Sequence, residues 1–205
     1  MGQTERCAVV ILAAGSSTRM GTDKAFLKID KETTFLDRIL DIYSGFRCDP
    51  LIVVVNSPVK ARMESSEYSH PSDFRIVVNH FPDQERFSSI IAGMKMCLDV
   101  DFCFLQDVDQ PFIHNGILSR LFEFRDPYSY AVPVFWKKGG HPLLLGKQII
   151  RVIPDSGNNA GVILKDFLKE FPRIEVNVDF REVLEDIDSP EDYRRFYPGQ
   201  MIDKG

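Results

Sequence analysis

Two basic side chains, Arg19 and Lys24, lie in a short loop of small residues that follows a strongly apolar run. That run, residues 7–13, is rich in β-branched residues and too short for a long helix, which is typical of a buried strand. Gly15 and Gly21 bracket the loop. A buried strand that leads into an amide-rich loop beside fixed positive charge is how an α/β protein holds a phosphate chain. An ordinary strand-to-helix turn would explain the glycines but not the two cations, so the segment predicts phosphate binding.

Two acidic side chains, Asp107 and Asp109, follow another buried run at residues 102–105. Carboxylates at the end of a buried strand cost free energy unless they have a partner or a function. A triphosphate substrate needs Mg²⁺, which takes oxygen ligands from one or two carboxylates, phosphates and water. Strand alternation would put both side chains on the same side, so that both could face the metal, or one could cap the following turn.

The spacing of the glycines excludes the two common nucleotide loops. A Walker A loop has four residues between its glycines and then Lys-Ser/Thr, whereas Gly15 and Gly21 enclose five residues. A dinucleotide fingerprint needs a second glycine where this chain has Ser17. The loop therefore belongs to another class of phosphate-binding segment.

The elements that must position these residues alternate along the chain. Periodicity predicts strands at 7–13, 51–55, 74–78, 102–105, 130–135, 143–145 and 174–178, an extended piece at 25–29, and helices at 35–46, 59–65, 88–98, 116–124 and 160–171. This alternation predicts an α/β protein with three α/β/α layers and a mostly parallel sheet covered on both faces. Ligands in such folds bind at the carboxyl ends of the strands, where Gly15, Asn79 and Asp109 would meet.

A last helix is predicted to begin near residue 190. Ser189 suits the N-cap and Pro190 the first helical position, while Glu191 and Asp192 are favourable in a first turn. Because capping explains these two acids, they are excluded from the catalytic residues.

Composition favours one domain over residues 1–205, large enough for a substantial core. The net charge of -5 argues against a nucleic-acid partner. The four cysteines have no metal-ligand spacing and suit free thiols in a reducing compartment. No signal pattern and no stretch of membrane-spanning length are visible, so we expect a cytoplasmic protein without a membrane partner.

The segment from Leu12 to Lys24 resembles the Leu-Ala-Ala-Gly-x-Ser-x-Arg-Met-Gly-x-x-Lys signature of nucleotidyltransferases that join a nucleoside triphosphate to a phosphorylated acceptor. The resemblance extends over most of the chain and is to the MobA-like nucleotidyltransferases, including the molybdenum cofactor cytidylyltransferases. It implies a Rossmann-like fold of the nucleotide-diphospho-sugar transferase type. It also implies catalytic roles for Arg19 and Lys24, and a nucleotide site formed by Leu12, Ala13, Ala14, Gly15, Ser16, Ser17, Arg19, Lys24, Asn79, Ser88, Ser89 and Gly93.

For Ser88 and Ser89, helix capping is the alternative explanation. In the resembled family, Ala-Ala-Gly at positions 13–15 is typical of pyrimidine-nucleotide enzymes and Ala-Gly-Gly of guanylyltransferases. The methyl group of Ala14 would narrow the base pocket against a purine, which favours CTP as the donor.

The resemblance implies a Mg²⁺ cofactor held by Asp109, which directly precedes Gln-Pro. Asp107 is the rival ligand, because the related cytidylyltransferases of isoprenoid synthesis carry their metal-binding aspartate four residues before the corresponding proline. Asp188, in Asp-Ile-Asp-Ser-Pro-Glu-Asp, matches the residue that completes the metal site in several relatives. An acid directly before a helix is also common for electrostatic reasons.

The acceptor side is implied by Gly140-His141-Pro142, an element typical of the molybdenum cofactor cytidylyltransferases, and by Asp155. The chain departs from the family where Asn159 replaces an arginine and Pro154 a glycine, and where Glu85-Arg86 replaces Gly-Met. Losing the guanidinium at position 159 removes a bidentate phosphate contact, so the altered loop bears on the acceptor. The Glu85-Arg86 departure resembles the cytidylyltransferases of isoprenoid synthesis.

These features predict an enzyme that transfers CMP from CTP to a phosphorylated acceptor and releases pyrophosphate, with molybdopterin as the expected acceptor. A molybdoenzyme or chaperone could receive the product. One alternative is a cytidylyl- or uridylyltransferase that acts on a sugar or polyol phosphate. The other is a non-catalytic nucleotide-binding module for cofactor delivery, which the altered loop at 155–159 favours but the retained Arg19, Lys24 and Asp109 disfavour.

Overall fold

The apolar runs of the sequence pair side by side in one sheet. The computed structural model describes residues 5–15, 17–65, 68–70, 72–80, 85–156 and 163–202. Within these residues the strands are β1 Cys7–Ala13, β2 Leu51–Val55, β3 Arg75–Val78, β4 Phe102–Asp107, β5 Tyr130–Phe135, β6 Lys138–Gly139, β7 Leu143–Gly146 and β8 Arg173–Asn177. Their order across the sheet is β3-β2-β1-β4-β7-β5-β6, with β8 paired to β5.

The centre of the sheet is parallel, as predicted. β1 pairs in parallel with β2 and with β4, so that Leu12 lies between Val54 and Asp107. β3 extends the parallel set beyond β2, whereas β7 runs antiparallel to both β4 and β5. The carboxyl ends of β1, β3 and β4 therefore meet at one edge, where the sequence placed the candidate site.

Helices cover both faces of the sheet and confirm the three-layer arrangement. They are α1 Phe35–Gly45, α2 Ser57–Met63, α3 Glu85–Met94, α4 Asn115–Glu123, α5 Lys147–Val152, α6 Leu164–Phe167 and α7 Pro190–Phe196, with 3₁₀ turns at Lys24–Phe26, Ile153–Asp155, Leu168–Glu170 and Arg181–Leu184. Alternate residues of β1 feed two separate cores: Val9 and Ile11 pack with α1, α4 and α7, and Val10 and Leu12 pack with α3 and α5.

Capping fixes the ends of two helices that matter for the site. The Thr34 side chain accepts from the Asp37 amide at the start of α1. Ser189 does the same for Asp192 at the start of α7, and the Asp192 carboxylate accepts from the Ser189 amide, which completes a capping box. The predicted capping role of Ser189 and the place of Asp192 in the first turn of α7 are confirmed.

Several boundaries differ from the prediction. Residues 25–29 do not form an extended piece, because a 3₁₀ turn occupies Lys24–Phe26. Helix α3 begins three residues before the predicted start, at Glu85, and ends at Met94. The helix predicted at 160–171 is reduced to the short α6 and a 3₁₀ turn, and its first residues lie outside the described part of the chain. The short β6 and α5 had no periodic signal of their own.

All four cysteines are buried free thiols, as expected. Cys7 and Cys48 lie with their sulfurs 4.0 Å apart, and Cys97 and Cys103 with theirs 3.9 Å apart. Among the described residues, no helix has the length and apolar character needed to cross a membrane.

Candidate nucleotide-binding site

An open cleft with a volume of about 290 Å³ lies at the carboxyl edge of the sheet. Loop residues after β1, the end of β4, the start of α3 and the segment before α7 all line it. Of the residues predicted for the site, the cleft brings together Leu12, Ala13, Ala14, Gly15, Ser17, Arg19, Lys24, Ser89, Asp107, Asp109 and Asp188. Convergence of four separate segments on one cleft makes it the candidate active site.

The loop after β1 is built by its own residues. Ser17 has a positive φ of 45°, and its carbonyl accepts from the amides of Met20 and Gly21. Its hydroxyl accepts from the Lys24 amide at 3.3 Å. Gly21, at a φ of 73°, adopts the left-handed conformation that glycine tolerates best. Ser17 thus shapes the loop as well as lining the cleft. Ser16 lies outside the described residues.

Asn56 fixes the beginning of this loop, and no motif in the sequence pointed to it. The side chain is buried at the end of β2, and its amide donates to the Ala14 carbonyl at 3.3 Å. Its oxygen accepts from the Val59 amide at the start of α2. One side chain therefore caps α2 and positions the residue predicted to contact the base.

Lys24 lies at the centre of the charged groups. Its ammonium is 2.9 Å from Asp109 Oδ2 and 2.6 Å from Asp188 Oδ1, and its side chain is only 12% exposed. Burial disfavours the charged amine, but the carboxylates of Asp109 and Asp188 outweigh burial and raise the pKa of Lys24. Lys24 is therefore a fixed cation between the two predicted metal ligands.

Asp188 also pairs with Arg19, at 3.0 Å, and the Arg19 side chain is 72% exposed. The hydrogen bond from Lys24 is the main reason that the pKa of Asp188 lies below its usual range, with Arg19 contributing and burial opposing. The Asp188 amide lies 3.3 Å from the Asp192 carboxylate that caps α7. The start of α7 thus holds Asp188 at the cleft.

Asp107 and Asp109 both line the cleft, as strand alternation predicted, but among the described residues their ion-pair partners differ. β4 ends at Asp107, and a turn follows in which the Gln110 amide donates to the Asp107 carbonyl. Asp109 pairs with Lys24, whereas Asp107 makes a two-pronged ion pair with Arg86. Burial and the nearby Asp107 raise the pKa of Asp109, and Lys24 opposes the shift. Arg86 thus engages both oxygens of Asp107, whereas Lys24 engages one oxygen of Asp109.

The main chain of Asp109 is also tied to the segment before α7. The Ile187 amide donates to the Asp109 carbonyl at 2.9 Å, and the Gln110 side chain donates to Asp186. Gln106, buried beneath them, donates to the Gln110 carbonyl and accepts from the Tyr43 hydroxyl. This buried network holds Asp109 and Asp188 at a fixed separation.

The start of α3 forms the other wall of the cleft, and Asn79 lies behind it. Asn79 is buried just after β3, and its side-chain amide donates to the hydroxyls of Ser88 and Ser89 at 2.8 and 2.9 Å. Because α3 already begins at Glu85, neither serine is its N-cap, and the capping alternative is wrong. Ser89 lines the cleft, while Asn79 and Ser88 support it from behind.

Gly93 lies one turn further along α3, away from the cleft lining. A Cβ at this position would lie 2.5 Å from Val10 Cγ1 and 3.0 Å from Val54 Cγ2. Its absence lets α3 pack closely on β1 and β2. The contacts of Gly93 are therefore with the sheet, and its effect on a nucleotide would pass through the position of α3.

The predicted acceptor residues do not line the main cleft. The Gly140-His141-Pro142 element packs on the 3₁₀ turn near Val183: the His141 amide donates to the Val183 carbonyl, and a Cβ on Gly140 would overlap that carbonyl oxygen. His141 Nδ1 is 3.8 Å from Asp107 Oδ2 and has no hydrogen-bond partner within the described part of the chain. Burial lowers the pKa of His141, with Arg86 contributing and Asp107 opposing. His141 thus adjoins the cleft through Asp107.

Asp155 is exposed in the 3₁₀ turn Ile153–Asp155, outside the cleft lining. The rest of its predicted loop, including Asn159, lies outside the described residues.

Six cleft residues were not among those predicted from the sequence, namely Thr18, Asp23, Ala25, Val59, Arg86 and Val108. Thr18 and Asp23 belong to the signature loop at positions that the signature leaves open, so the loop itself was the available signal. The sequence identified Arg86 only as a departure from the family pattern, and the residues near it do not indicate that it pairs with Asp107 on β4.

A divalent metal fits the acids of this cleft. No group of three His, Cys, Asp or Glu side chains is arranged for a metal within the described residues. Mg²⁺ needs only one or two carboxylates when phosphates and water complete its shell. The carboxylates of Asp109 and Asp188 already converge on one cationic group, the Lys24 ammonium, so their donor chemistry suits a cation at this place.

Comparison with known proteins agrees with this geometry. Residues 9–174 match the family model described as a MobA-like NTP transferase domain. A probable molybdenum cofactor guanylyltransferase from Natranaerobius thermophilus is 30% identical over 207 residues, covering 92% of this chain and 94% of the relative. Rv0371c from Mycobacterium tuberculosis H37Rv has a similar crystal structure, with a TM-score of 0.73, 26% identity, and coverage of 95% of this chain and 98% of that chain. A manganese complex of the same mycobacterial protein matches with a TM-score of 0.68 and 24% identity, covering 95% of this chain and 99% of that chain.

Proposed function

Because this chain belongs to the MobA-like NTP transferase domain family and is a nucleotidyltransferase, we propose that its cleft transfers a nucleotidyl group to a phosphorylated acceptor. The nucleotidyl group that we propose is CMP. The observation that carries the proposal is the cluster of Arg19, Lys24, Asp109 and Asp188 in one cleft below the signature loop. These groups are the ones that a triphosphate and its metal need.

The reaction would be an in-line displacement. An oxygen of the acceptor phosphate attacks the α-phosphorus, the bond from that phosphorus to the bridging oxygen of the β-phosphate breaks, and pyrophosphate leaves with the electron pair. Such a reaction needs positioning and charge neutralisation more than covalent help. Arg19, exposed at the mouth, and the loop amides would hold the β- and γ-phosphates. Lys24, deeper in the cleft, would offset the charge that develops near the α-phosphate.

Enzymes of this family use divalent metals, and we propose Mg²⁺ here. Asp109 and Asp188 would hold it, and the bound ion would neutralise phosphate charge. Asp107 is the weaker candidate because Arg86 already occupies both of its oxygens.

For the donor, CTP is supported by Ala14. This residue is 6% exposed, lines the cleft, and is held in place by the Asn56 hydrogen bond to its carbonyl. Its methyl group would limit the depth of the base pocket. The second candidate donor is GTP, which is supported by the printed names of the curated relatives, probable molybdenum cofactor guanylyltransferases.

For the acceptor, we propose molybdopterin, on the basis of the Gly140-His141-Pro142 element and the names of the relatives. A sugar or polyol phosphate is the alternative acceptor. A non-catalytic delivery module is a weaker alternative, since the cations and acids that a transferase needs lie together in the cleft.

The test is pyrophosphate release with CTP, GTP and UTP, each with molybdopterin and with a small set of sugar and polyol phosphates. We expect turnover with CTP and molybdopterin. Turnover with GTP but not with CTP would mean that GTP is the donor. Turnover with a sugar phosphate but not with molybdopterin would mean that the sugar phosphate is the acceptor. Mg²⁺-dependent nucleotide binding without turnover for any pair would contradict an enzymatic role.

The variant Ala14→Gly tests the base assignment separately. If the methyl group excludes purines, this variant should raise kcat/KM for GTP relative to CTP by about tenfold, the effect typical of one methylene-sized change in a pocket. An unchanged ratio would remove Ala14 from the explanation of base choice.

A further inference from the structure

Arg86 is a cleft residue to which the family signature assigns no role. It is the second residue of α3, it lines the cleft one helical turn before Ser89, and its side chain is 44% exposed. An arginine of this kind is either a structural partner for a buried acid or a binding group for an anion. Its contacts decide between the two.

The Asp107 carboxylate holds one edge of the Arg86 guanidinium. Nε donates to Asp107 Oδ1 at 2.9 Å and one Nη donates to Oδ2. A guanidinium has five N–H donors in a planar fork, so this pair leaves three of them for other acceptors. Among the described residues, Asp107 is the hydrogen-bond partner found for this side chain. Asp107 is only 17% exposed, so it fixes the orientation of the guanidinium while part of the fork stays accessible.

The ion pair of Arg86 and Asp107 lies between the nucleotide half and the acceptor half of the proposed site. Asp107 ends β4, which lies between β1, whose loop carries Arg19 and Lys24, and β7, which follows His141. Asp107 Oδ2 is 3.8 Å from His141 Nδ1. Arg19 and Lys24 both pair with Asp188, so Arg86 is a separate cationic centre on the α3 side of the cleft. An anion bound there would lie where the nucleotide and the acceptor must meet.

We propose that Arg86, held in place by Asp107, binds a phosphoryl oxygen at this junction, and that Asp107 serves as its anchor. Planar, pre-oriented guanidinium groups recognise phosphate with two parallel hydrogen bonds, which a lysine cannot reproduce. The phosphoryl group is either the α-phosphate of the nucleotide or the phosphate of the acceptor. The inference depends on the proposed function only in the choice between these sources.

Binding measurements test the proposal without requiring turnover. Isothermal titration calorimetry would compare the wild type with Arg86→Gln, Arg86→Lys and Asp107→Asn. The ligands are CMP (or GMP, if the donor assay selects GTP), pyrophosphate, and inorganic phosphate added to the nucleotide-saturated protein. We expect Arg86→Gln to weaken either the nucleoside monophosphate or the added phosphate by about tenfold or more, as for a lost charge-assisted hydrogen bond. Pyrophosphate affinity should stay within about twofold, because Arg19 and the loop amides are assigned to the β- and γ-phosphates.

The anchoring role has its own readout. Asp107→Asn should weaken the same ligand, and the double variant should be no weaker than Arg86→Gln alone. Arg86→Lys should not restore binding. The control is Arg120→Gln, which removes an arginine of similar exposure, 47%, paired with Glu123 on α4. It should leave all three affinities unchanged.

Two outcomes would overturn the proposal. One is unchanged affinity for all three ligands in Arg86→Gln while its melting temperature falls, which is the result of a purely structural ion pair. The other is equal weakening of all three ligands, which would mean a general loss of positive potential. A wrong acceptor would show instead as absent pyrophosphate release in the wild type, so the two failures are distinguishable.

Discussion

The Lys24 ammonium lies between Asp109 and Asp188, the two carboxylates that we propose as metal ligands. Removing the ammonium should therefore strengthen the binding of one ligand and weaken the binding of another. Replacing the lysine by methionine removes the ammonium but keeps the length and apolar stem of the side chain. Lys24→Met should therefore bind Mn²⁺ alone more tightly than the wild type. The same variant should bind the metal–triphosphate complex more weakly, because a phosphate partner is lost.

The size of the effect follows from the contacts. The ammonium makes two charge-assisted hydrogen bonds, at 2.9 Å to Asp109 and 2.6 Å to Asp188, and bonds of this kind contribute about 1.5–3 kcal/mol each. The Asp188 side chain is 41% exposed, so solvent screening reduces its share. We expect the free energy of unfolding to fall by about 2 kcal/mol in the absence of metal. A metal that no longer displaces the ammonium should gain roughly ten- to a hundredfold in affinity, which is about 1.4–2.7 kcal/mol.

The assay is titration with Mn²⁺ in the absence of nucleotide, with free Mn²⁺ followed by electron paramagnetic resonance. Melting temperatures with EDTA and with Mn²⁺ give a second measure, since a tighter metal stabilises the fold more. Lys147→Met is the matched control. Lys147 forms a 2.7 Å pair with Asp101, just before β4 and thus at the opposite edge of the sheet. The Lys147→Met variant should leave Mn²⁺ binding unchanged.

One result would refute this reasoning directly. If Lys24→Met binds Mn²⁺ no more tightly than the wild type, then either the ammonium does not compete with the metal or the metal binds elsewhere. The double variant with Asp109→Asn separates these cases: loss of Mn²⁺ binding keeps Asp109 as the ligand, and unchanged binding removes it.

Further predictions address the metal ligands, the packing of α3 and the pH dependence of stability. Asp109→Asn should abolish metal-dependent pyrophosphate release with the fold intact, whereas Asp107→Asn should retain metal dependence; activity lost only in the second variant would reverse the assignment. Gly93→Ala should lower the free energy of unfolding by about 1–3 kcal/mol in urea melts, because its Cβ would meet Val10 at 2.5 Å, while Gly45→Ala, with open space around it, should not destabilise the protein. Burial lowers the pKa of His141 below its usual range, so the unfolded chain takes up its proton first, and stability should fall as the pH drops below about 6.5. His141→Gln should reduce that loss between pH 7 and 5.5, and an identical slope in both proteins would contradict it.

Local patterns predicted the parts of the fold that local energetics decide. β1 and β2 have the predicted bounds because each is an apolar run bounded by polar or turn-forming residues. The capping box of α7 follows from Ser189, Pro190 and Asp192 alone. The reversed direction of β7 was not predictable in this way, because periodicity shows which residues are buried but not the direction of a strand in the sheet.

The candidate site was predictable as a set of residues, but its pairing was not. Strand alternation predicted that Asp107 and Asp109 would both face the site, and both line the cleft, although β4 ends at Asp107 and Asp109 lies in the turn that follows. Arg86 and Asp107 are 21 residues apart, and their pairing depends on how α3 packs over β1 and β2. Contacts of this range have no local sequence signal.

This pairing changes how binding at the cleft is understood. The sequence separates the charged residues into cations for phosphate and acids for metal, yet in the protein the cations Arg19, Lys24 and Arg86 are paired with the acids Asp188, Asp109 and Asp107. Fixed opposite charges satisfy each other in the absence of substrate, which avoids the cost of unpaired charge in a partly buried cleft. A metal–triphosphate complex carries both partners at once: at the proposed site the metal would take the place of Lys24 beside Asp109 and Asp188, and Lys24 would pair with the phosphates. Metal and nucleotide should therefore each bind weakly alone and tightly together, a coupling that Lys24→Met would reduce.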